Sequence, residues 1–239
     1  MKTKLASVLI PGFLLTVSTY GATHASPATG KKERGTITIG IYNYAHAEPG
    51  LLLKAQRTAA SILWKAEVET VWHDCATDDA SRSSATCAAL DDPTHLTLRI
   101  VPDAMLNRWR QEHGDALGFA VVGGQFCCYA SVLYDRVTKL NEEKRLDLAS
   151  LLGAVMAHEL GHLLLNDTSH ANAGLMRANW SCEELSATSR GWLFFSDAER
   201  KRIQNGVIAR HQVASSVTAE LSSLDLDTRS RANHFDRAI

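Results

Sequence analysis

The stretch from Asn141 to Asn166 contains no proline, and within it Leu148, Leu151, Leu152, Val155, Met156, Leu160, Leu163 and Leu164 recur at spacings of one, three and four residues. That rhythm predicts a helix whose apolar stripe is wide enough to be buried. Asp147 or Asn141 can cap its start, and Asn166 suits a left-handed stop. Gly161 in the helix interior costs about 1 kcal/mol relative to alanine, which makes sense if another backbone approaches closely there. The rest of the chain has to be arranged around this segment.

The same helix carries His158-Glu159-Leu160-Gly161-His162, an H-E-x-x-H pattern found on zinc-metalloprotease helices. A helix turns about 100° per residue, so His158 and His162 stand one turn apart on one face and can present both imidazoles to one metal ion. Glu159, rotated about 100° from His158, borders such an ion without having to bind it. That placement suits a general base. Zinc brings the pKa of a coordinated water to about 7, and Glu159 is expected to take its proton as the water attacks a peptide carbonyl. The competing reading is a chance match on an ordinary core helix. Three features weigh against it: the apolar helix itself, His170 just beyond its end, and Gly174-Leu175-Met176 after that.

Beyond the helix, Asp167, His170 and the pair Glu183-Glu184 are the candidates for a third ligand. Asp167 follows His162 too closely for the chain to reverse and bring it back over the metal. His170 leaves room for a bend at Asn166-Asp167, which Thr168 and Ser169 can hold by local hydrogen bonds. A neutral imidazole is a common zinc ligand, and three histidines leave an open position for water. Asp167 can instead orient a ligand histidine. Glu183 or Glu184 as third ligand would make the site gluzincin-like, although Ser181-x-x-Glu184 also reads as a capping box.

The residues H-E-L-G-H-L-L-L-N-D-T-S-H-A-N-A-G-L-M resemble the site of the metzincin zinc proteases, and among them small secreted bacterial proteins with an H-E-x-x-H-L-L-L…S-H…G-I-M stretch. The resemblance is specific over about 158–176 and topological over roughly 36–212. It departs from H-E-x-x-H-x-x-G-x-x-H in having Leu165 at the glycine position and Thr168 at that of the third histidine, with His170 two residues later. It implies zinc held by His158, His162 and His170, and Met176 packed beneath the ligands without binding the metal. It also implies an α/β (α+β) zincin domain: a twisted mixed sheet with an active-site helix and a C-terminal helix.

Residues 1–25 read as a signal peptide: Lys2 and Lys4, a mostly apolar run from Leu5 to Val17, and Thr23-His24-Ala25 as a cleavage site. The run is shorter than the about 20 residues needed to cross a bilayer, and Pro11 and Gly12 interrupt it. No later stretch is expected to span a membrane. Cleavage removes two lysines and takes the formal charge from −1 to −3, which points to neither nucleic acid nor an anionic membrane. Residues 26–35 form a leader, 36–214 the catalytic domain and 215–239 a polar, mobile tail.

Within the domain, Ile37, Ile39 and Ile41 alternate in a strand over Thr36–Tyr44. Leu51, Leu52, Ala55, Ala59, Ile62, Leu63 and Ala66 mark a helix starting at Pro49, followed by strands at Val68–Trp72 and Leu96–Val101. That order predicts parallel pairing. Ala104–His113 reads as helical, and Gly118–Val122 and Tyr129–Tyr134 as strands joined through Gly123-Gly124. In metzincins a strand of this region borders the cleft and binds extended substrate by backbone pairing; an ordinary hairpin is the alternative. Ser196-x-x-Glu199 is a second capping box, opening a helix from about Asp197 to His211.

Cys75 and Cys87 flank a polar loop and are expected to pair in an exported protein. Of Cys127, Cys128 and Cys182, one of the first two is expected to pair with Cys182. His46, His73, His95, His113, His211 and His234 lack ligand spacing and read as structural or surface residues, as do Asp78-Asp79 and Asp91-Asp92 as solvated loop charges.

These features predict a secreted or periplasmic, monomeric zinc metalloendopeptidase. It would use one catalytic zinc ion and act on peptide or protein substrates, with no membrane anchor after signal cleavage. Two alternatives stand beside it: the gluzincin-like peptidase, and a secreted protein that keeps zinc for structure or for binding a partner. The intact Glu159 argues against the last, because a purely structural site needs no base and is closed by four protein ligands.

Overall fold

The computed structural model describes residues 34–75, 77, 87, 92–106, 114–124 and 127–235, with backbone alone at 127, 128 and 220–235. The expected signal peptide, nearly all of the leader, Asp78-Asp79, Asp91 and His113 lie outside the described residues.

Strands β1 (Gly35–Asn43), β2 (Val68–Cys75), β3 (His95–Val101), β4 (Gly118–Gly123) and β5 (Cys127–Leu133) form one sheet in the order β2-β1-β3-β5-β4. The pairs β1–β2, β1–β3 and β3–β5 are parallel, and β4 runs antiparallel to β5 at the sheet edge. The sequence places all five strands. Ile37, Ile39 and Ile41 are buried on one face of β1 as their alternation predicts. Helix α1 (Pro49–Lys65) follows β1, with Pro49 in its first turn. The Glu48 carboxylate accepts from the N–H groups of Gly50 and Leu51 (2.8 and 2.6 Å), a cap that no Ser, Thr, Asp or Asn marks in the sequence. Cys75 and Cys87 form a disulfide as expected. Cys182 is instead a free, exposed thiol, so its expected pairing is corrected.

Helix α3 (Leu148–Leu165) is the long apolar helix. Asp147 is its N-cap, accepting from Ser150 N–H (2.8 Å), and Asn166 ends it in the left-handed conformation (φ 49°). Every side chain from Leu151 to Leu164 is buried. Against the expectation that no later stretch is long and apolar enough to span a bilayer, α3 is, by length and composition. In the fold 83% of it is enclosed by protein, which makes it the core helix of the domain.

The sheet, α1, α2 (Tyr134–Lys144), α4 (Cys182–Ser189) and α5 (Asp197–Phe235) all pack on α3. At Gly153 a Cβ would stand 2.5 Å from Ala55 O of α1, so glycine there permits close helix approach. At Gly161 the close neighbours are side chains, Phe195 Cε1 (2.7 Å) and Met176 Sδ (2.8 Å), and not the backbone the sequence suggested.

Helix α2 leaves little trace in the sequence, because its one buried side chain is Val137 and its stop is Arg145 in the left-handed conformation, with no glycine to mark it. The Ala104–His113 helix is a 3₁₀ turn over Asp103–Leu106, with the remainder outside the described residues. The largest correction concerns α5, which does not stop near His211 but continues to Phe235. After Gly206 this stretch holds neither proline nor glycine, so nothing breaks a helix already nucleated on the core.

Arg210 fastens α5 to α3. It is 1% exposed and donates from Nη1 to Pro93 O (2.7 Å) and from Nη2 to Leu163 O (2.8 Å). Burial lowers its pKa to about 10, so it stays charged, and a cation at the C-terminal end of α3 complements the helix dipole.

Candidate metal centre

The imidazoles of His158 and His162 leave the buried face of α3 one turn apart, 7% and 4% exposed. Each Nδ1 lies 2.7 Å from a backbone carbonyl: that of Leu175 for His158 and that of Asp167 for His162. A carbonyl oxygen only accepts, so each ring carries its proton on Nδ1 and turns the Nε2 lone pair inward. Burial, together with the neighbouring histidines, lowers the pKa of His158 to about 3, and burial likewise lowers that of His162. Both rings are therefore neutral near pH 7.

His170, on the exposed loop after α3, completes the group. Its Nε2 is 3.3 Å from Nε2 of His162, which is 3.1 Å from Nε2 of His158. Lone pairs facing one another at that range repel unless a cation lies between them. Nitrogens about 2.05 Å from a tetrahedral zinc stand about 3.3 Å apart. Two of the three separations and the tautomers of His158 and His162 thus fit a divalent metal, with all three ligand atoms within 4.8 Å of one another, and among the described residues this is the one such group of His, Cys, Asp or Glu side chains.

The loop is tied in two places. The Asp167 carboxylate accepts from Ser169 N–H (2.8 Å) and pairs with Arg202 of α5 (2.8 Å), and the Arg202 bond and then the Ser169 bonds hold its pKa well below the usual carboxylate range. Asp167 orients His162 through its carbonyl, with its side chain left to fix the turn. Further on, Ala171 N–H donates to Met176 O (2.8 Å) and Leu175 N–H to Phe194 O (3.1 Å). Met176 itself is buried against Gly161, on the helical turn between His158 and His162. Trp180 donates from Nε1 to Leu175 O (3.1 Å), the carbonyl that also receives His158.

Glu184 is already engaged. Oε1 accepts from Gly174 N–H (3.1 Å), and Oε2 from Arg177 (3.0 Å) and Ser181 N–H (2.7 Å). Burial raises its pKa, but the hydrogen bonds from Ser181 and Gly174 and the Arg177 charge outweigh that and hold it below the ordinary value. Glu183 is exposed and lies outside the histidine group. The gluzincin-like assignment is corrected accordingly: Glu184 caps α4 and ties down the Gly174 turn.

Glu159 is 4% exposed, and its Oε2 has no hydrogen-bond partner. Burial raises its pKa to about 8. A buried carboxyl with an oxygen left unpartnered is costly in either protonation state, which marks this one as serving something other than the fold.

The cleft beside it, ≈ 1120 Å³, is lined by His158, Glu159, His162 and His170 and by Gly118 to Ala120 of β4. Leu133 N–H donates to Leu117 O (2.8 Å), which sets the phase of the hairpin. The N–H and C=O of Gly118, Ala120 and Val122 therefore point away from β5, toward the open edge.

Of the other histidines, His46 is exposed, His95 is buried in the sheet, and His211 bonds Thr36 O (2.9 Å). None joins the group. The sequence did not indicate the carbonyls of Leu175 and Asp167, since a backbone group has no sequence signature.

No family model matches the chain, and no curated protein matches it. Two solved structures are similar. One is a zinc-dependent peptidase from Methanocorpusculum labreanum, at 15% identity and TM-score 0.46, covering 69% of this chain and 99% of that one. The other is archaemetzincin from Methanopyrus kandleri, at 16% identity and TM-score 0.42, covering 72% and 96%.

Proposed function

We propose that the protein is a zinc-dependent metallopeptidase, with His158, His162 and His170 as zinc ligands and Glu159 as general base. The observation that carries this reading is the convergence of three imidazole nitrogens beside a buried carboxylate with an unpartnered oxygen, at the floor of an open cleft. When bound, zinc supplies Lewis acidity and acidifies water.

The chain's own residues supply the rest. The carbonyls of Leu175 and Asp167 hold two rings in the metal-ready tautomer. Glu159, enclosed and drawn to its ionised form by the divalent cation that the imidazoles would hold, takes a proton from the attacking water and delivers it toward the leaving amine. An extended peptide pairs with the outward N–H and C=O groups of Gly118 and Ala120, adding a strand to the sheet edge. The metal ligands lie beside this edge, so the peptide's scissile carbonyl is brought to the base.

Export to an oxidising compartment is part of the proposal, supported by the Cys75–Cys87 bridge. Incubation with an unfolded protein or a peptide library tests the function. Hydrolysis that stops with chelator and returns with zinc supports it. Cleavage insensitive to chelator, or full zinc occupancy without any cleavage, contradicts it.

A further inference from the structure

On the basis of this peptidase reading, we infer that Gly118 is a positioning residue for the reaction: the missing side chain at the first position of β4 lets the Glu159 carboxylate stand against the edge that receives substrate. A Cβ at Gly118 would lie 2.6 Å from Oε1, 2.8 Å from Cδ and 2.8 Å from Cγ of Glu159. Non-bonded carbon atoms rest about 3.5–4.0 Å apart, so even alanine displaces the carboxylate.

The added atom meets Cγ and Cδ and not the carboxylate tip alone, so the side chain must turn as a whole, and the space open to it is the cleft that the substrate enters. The requirement is steric and not conformational, because Gly118 is not among the residues with positive φ. Gly123 and Gly124, in the same hairpin, would meet nothing within 4 Å if a Cβ were added. They serve the turn, whereas Gly118 serves the carboxylate.

The position of Gly118 is itself held. Arg136 of α2 donates to Gly114 O (2.6 Å) and Ala116 O (2.9 Å) and pairs with Asp103 (3.1 Å), which pins the segment entering β4. Gly118 thus meets two partners at once. Its outward backbone groups face the substrate strand, and its bare Cα faces the base. The separation between base and bound peptide is set at this one residue.

The test is a cycle of Gly118→Ala and Glu159→Ala, read by the melting temperature of the zinc-free protein, together with kinetics and zinc content of Gly118→Ala. The inference predicts that Gly118→Ala lowers Tm in the parent and does not in the Glu159→Ala background. Gly118→Ala should keep the parent's zinc content and KM while kcat falls by about 100-fold, the scale of a 1 Å misplacement. If Gly118→Ala alone does not fold, recovery of folding in the double variant supports the contact, and failure of both overturns it. An equal Tm loss in both backgrounds, or a Gly118→Ala enzyme with the parent's kcat, overturns the inference while the peptidase reading stands. A zinc-loaded parent that cleaves nothing overturns that reading and the positioning role with it, even if the Tm cycle confirms the contact.

Discussion

His158 and His162 sit within the enclosed helix α3, whereas His170 sits on an exposed loop. The first two inherit their spacing from helix geometry and their tautomers from the Leu175 and Asp167 carbonyls. His170 owes its place to a short bend held by Asp167, Ser169 and Arg202 and by the Ala171–Met176 bond. The helix supplies a fixed half of the site and the loop an adjustable half. In the proposed reading, that difference lets the third histidine come two residues later than in H-E-x-x-H-x-x-G-x-x-H: what a loop ligand must satisfy is a position in space, and a stabilised bend reaches it from more than one sequence distance.

The comparison can be broken most forcefully at the ligands. His158→Ala or His162→Ala should abolish zinc retention, and His170→Ala should lose most of it, all with loss of hydrolysis. Elemental analysis after dialysis reads this, and full zinc in His170→Ala would remove the loop from the site.

A smaller effect is expected from the loop's supports. Asp167→Asn keeps the Ser169 turn but loses the charge pair, and Arg202→Met removes the partner. Each should weaken zinc by about tenfold, the low end for groups that orient ligands, without abolishing occupancy. Competition against a chromogenic chelator measures it. An unchanged affinity would mean that the bend holds without α5.

The helix half should behave differently. Arg210→Met leaves the Pro93 and Leu163 carbonyls without this donor and should cost about 1–3 kcal/mol of stability with little change in zinc affinity, as denaturation and chelator competition together would show. The least effect on the metal is expected from Cys75→Ser with Cys87→Ser. The disulfide closes a loop at the far edge strand and contributes about 3 kcal/mol in the chain-entropy model, so Tm should fall while zinc affinity is unchanged.

What could be read from the sequence follows the same division. Helix α3 was legible with its cap and stop, because Asp147, the apolar spacing and Asn166 are local signals. The five strands and both capping boxes were legible for the same reason. Helix α2 was not, since a single buried side chain leaves no period to read. The extension of α5 to Phe235 was hidden by its polar composition, which is shared by exposed helices and tails alike. In the site, His158, Glu159 and His162 came from spacing, and His170 from chain reach. The seat of Glu159 against Gly118 is a contact between residues far apart in sequence, and no local pattern announces it.

The most direct measurement is zinc content and peptide hydrolysis on one preparation of Glu159→Gln beside the parent. The account predicts unchanged zinc, because the three imidazoles survive, and hydrolysis reduced by at least about 10²-fold, as expected when a general base is removed. A Glu159→Gln protein that cleaves as fast as the parent, with zinc in place, would contradict it.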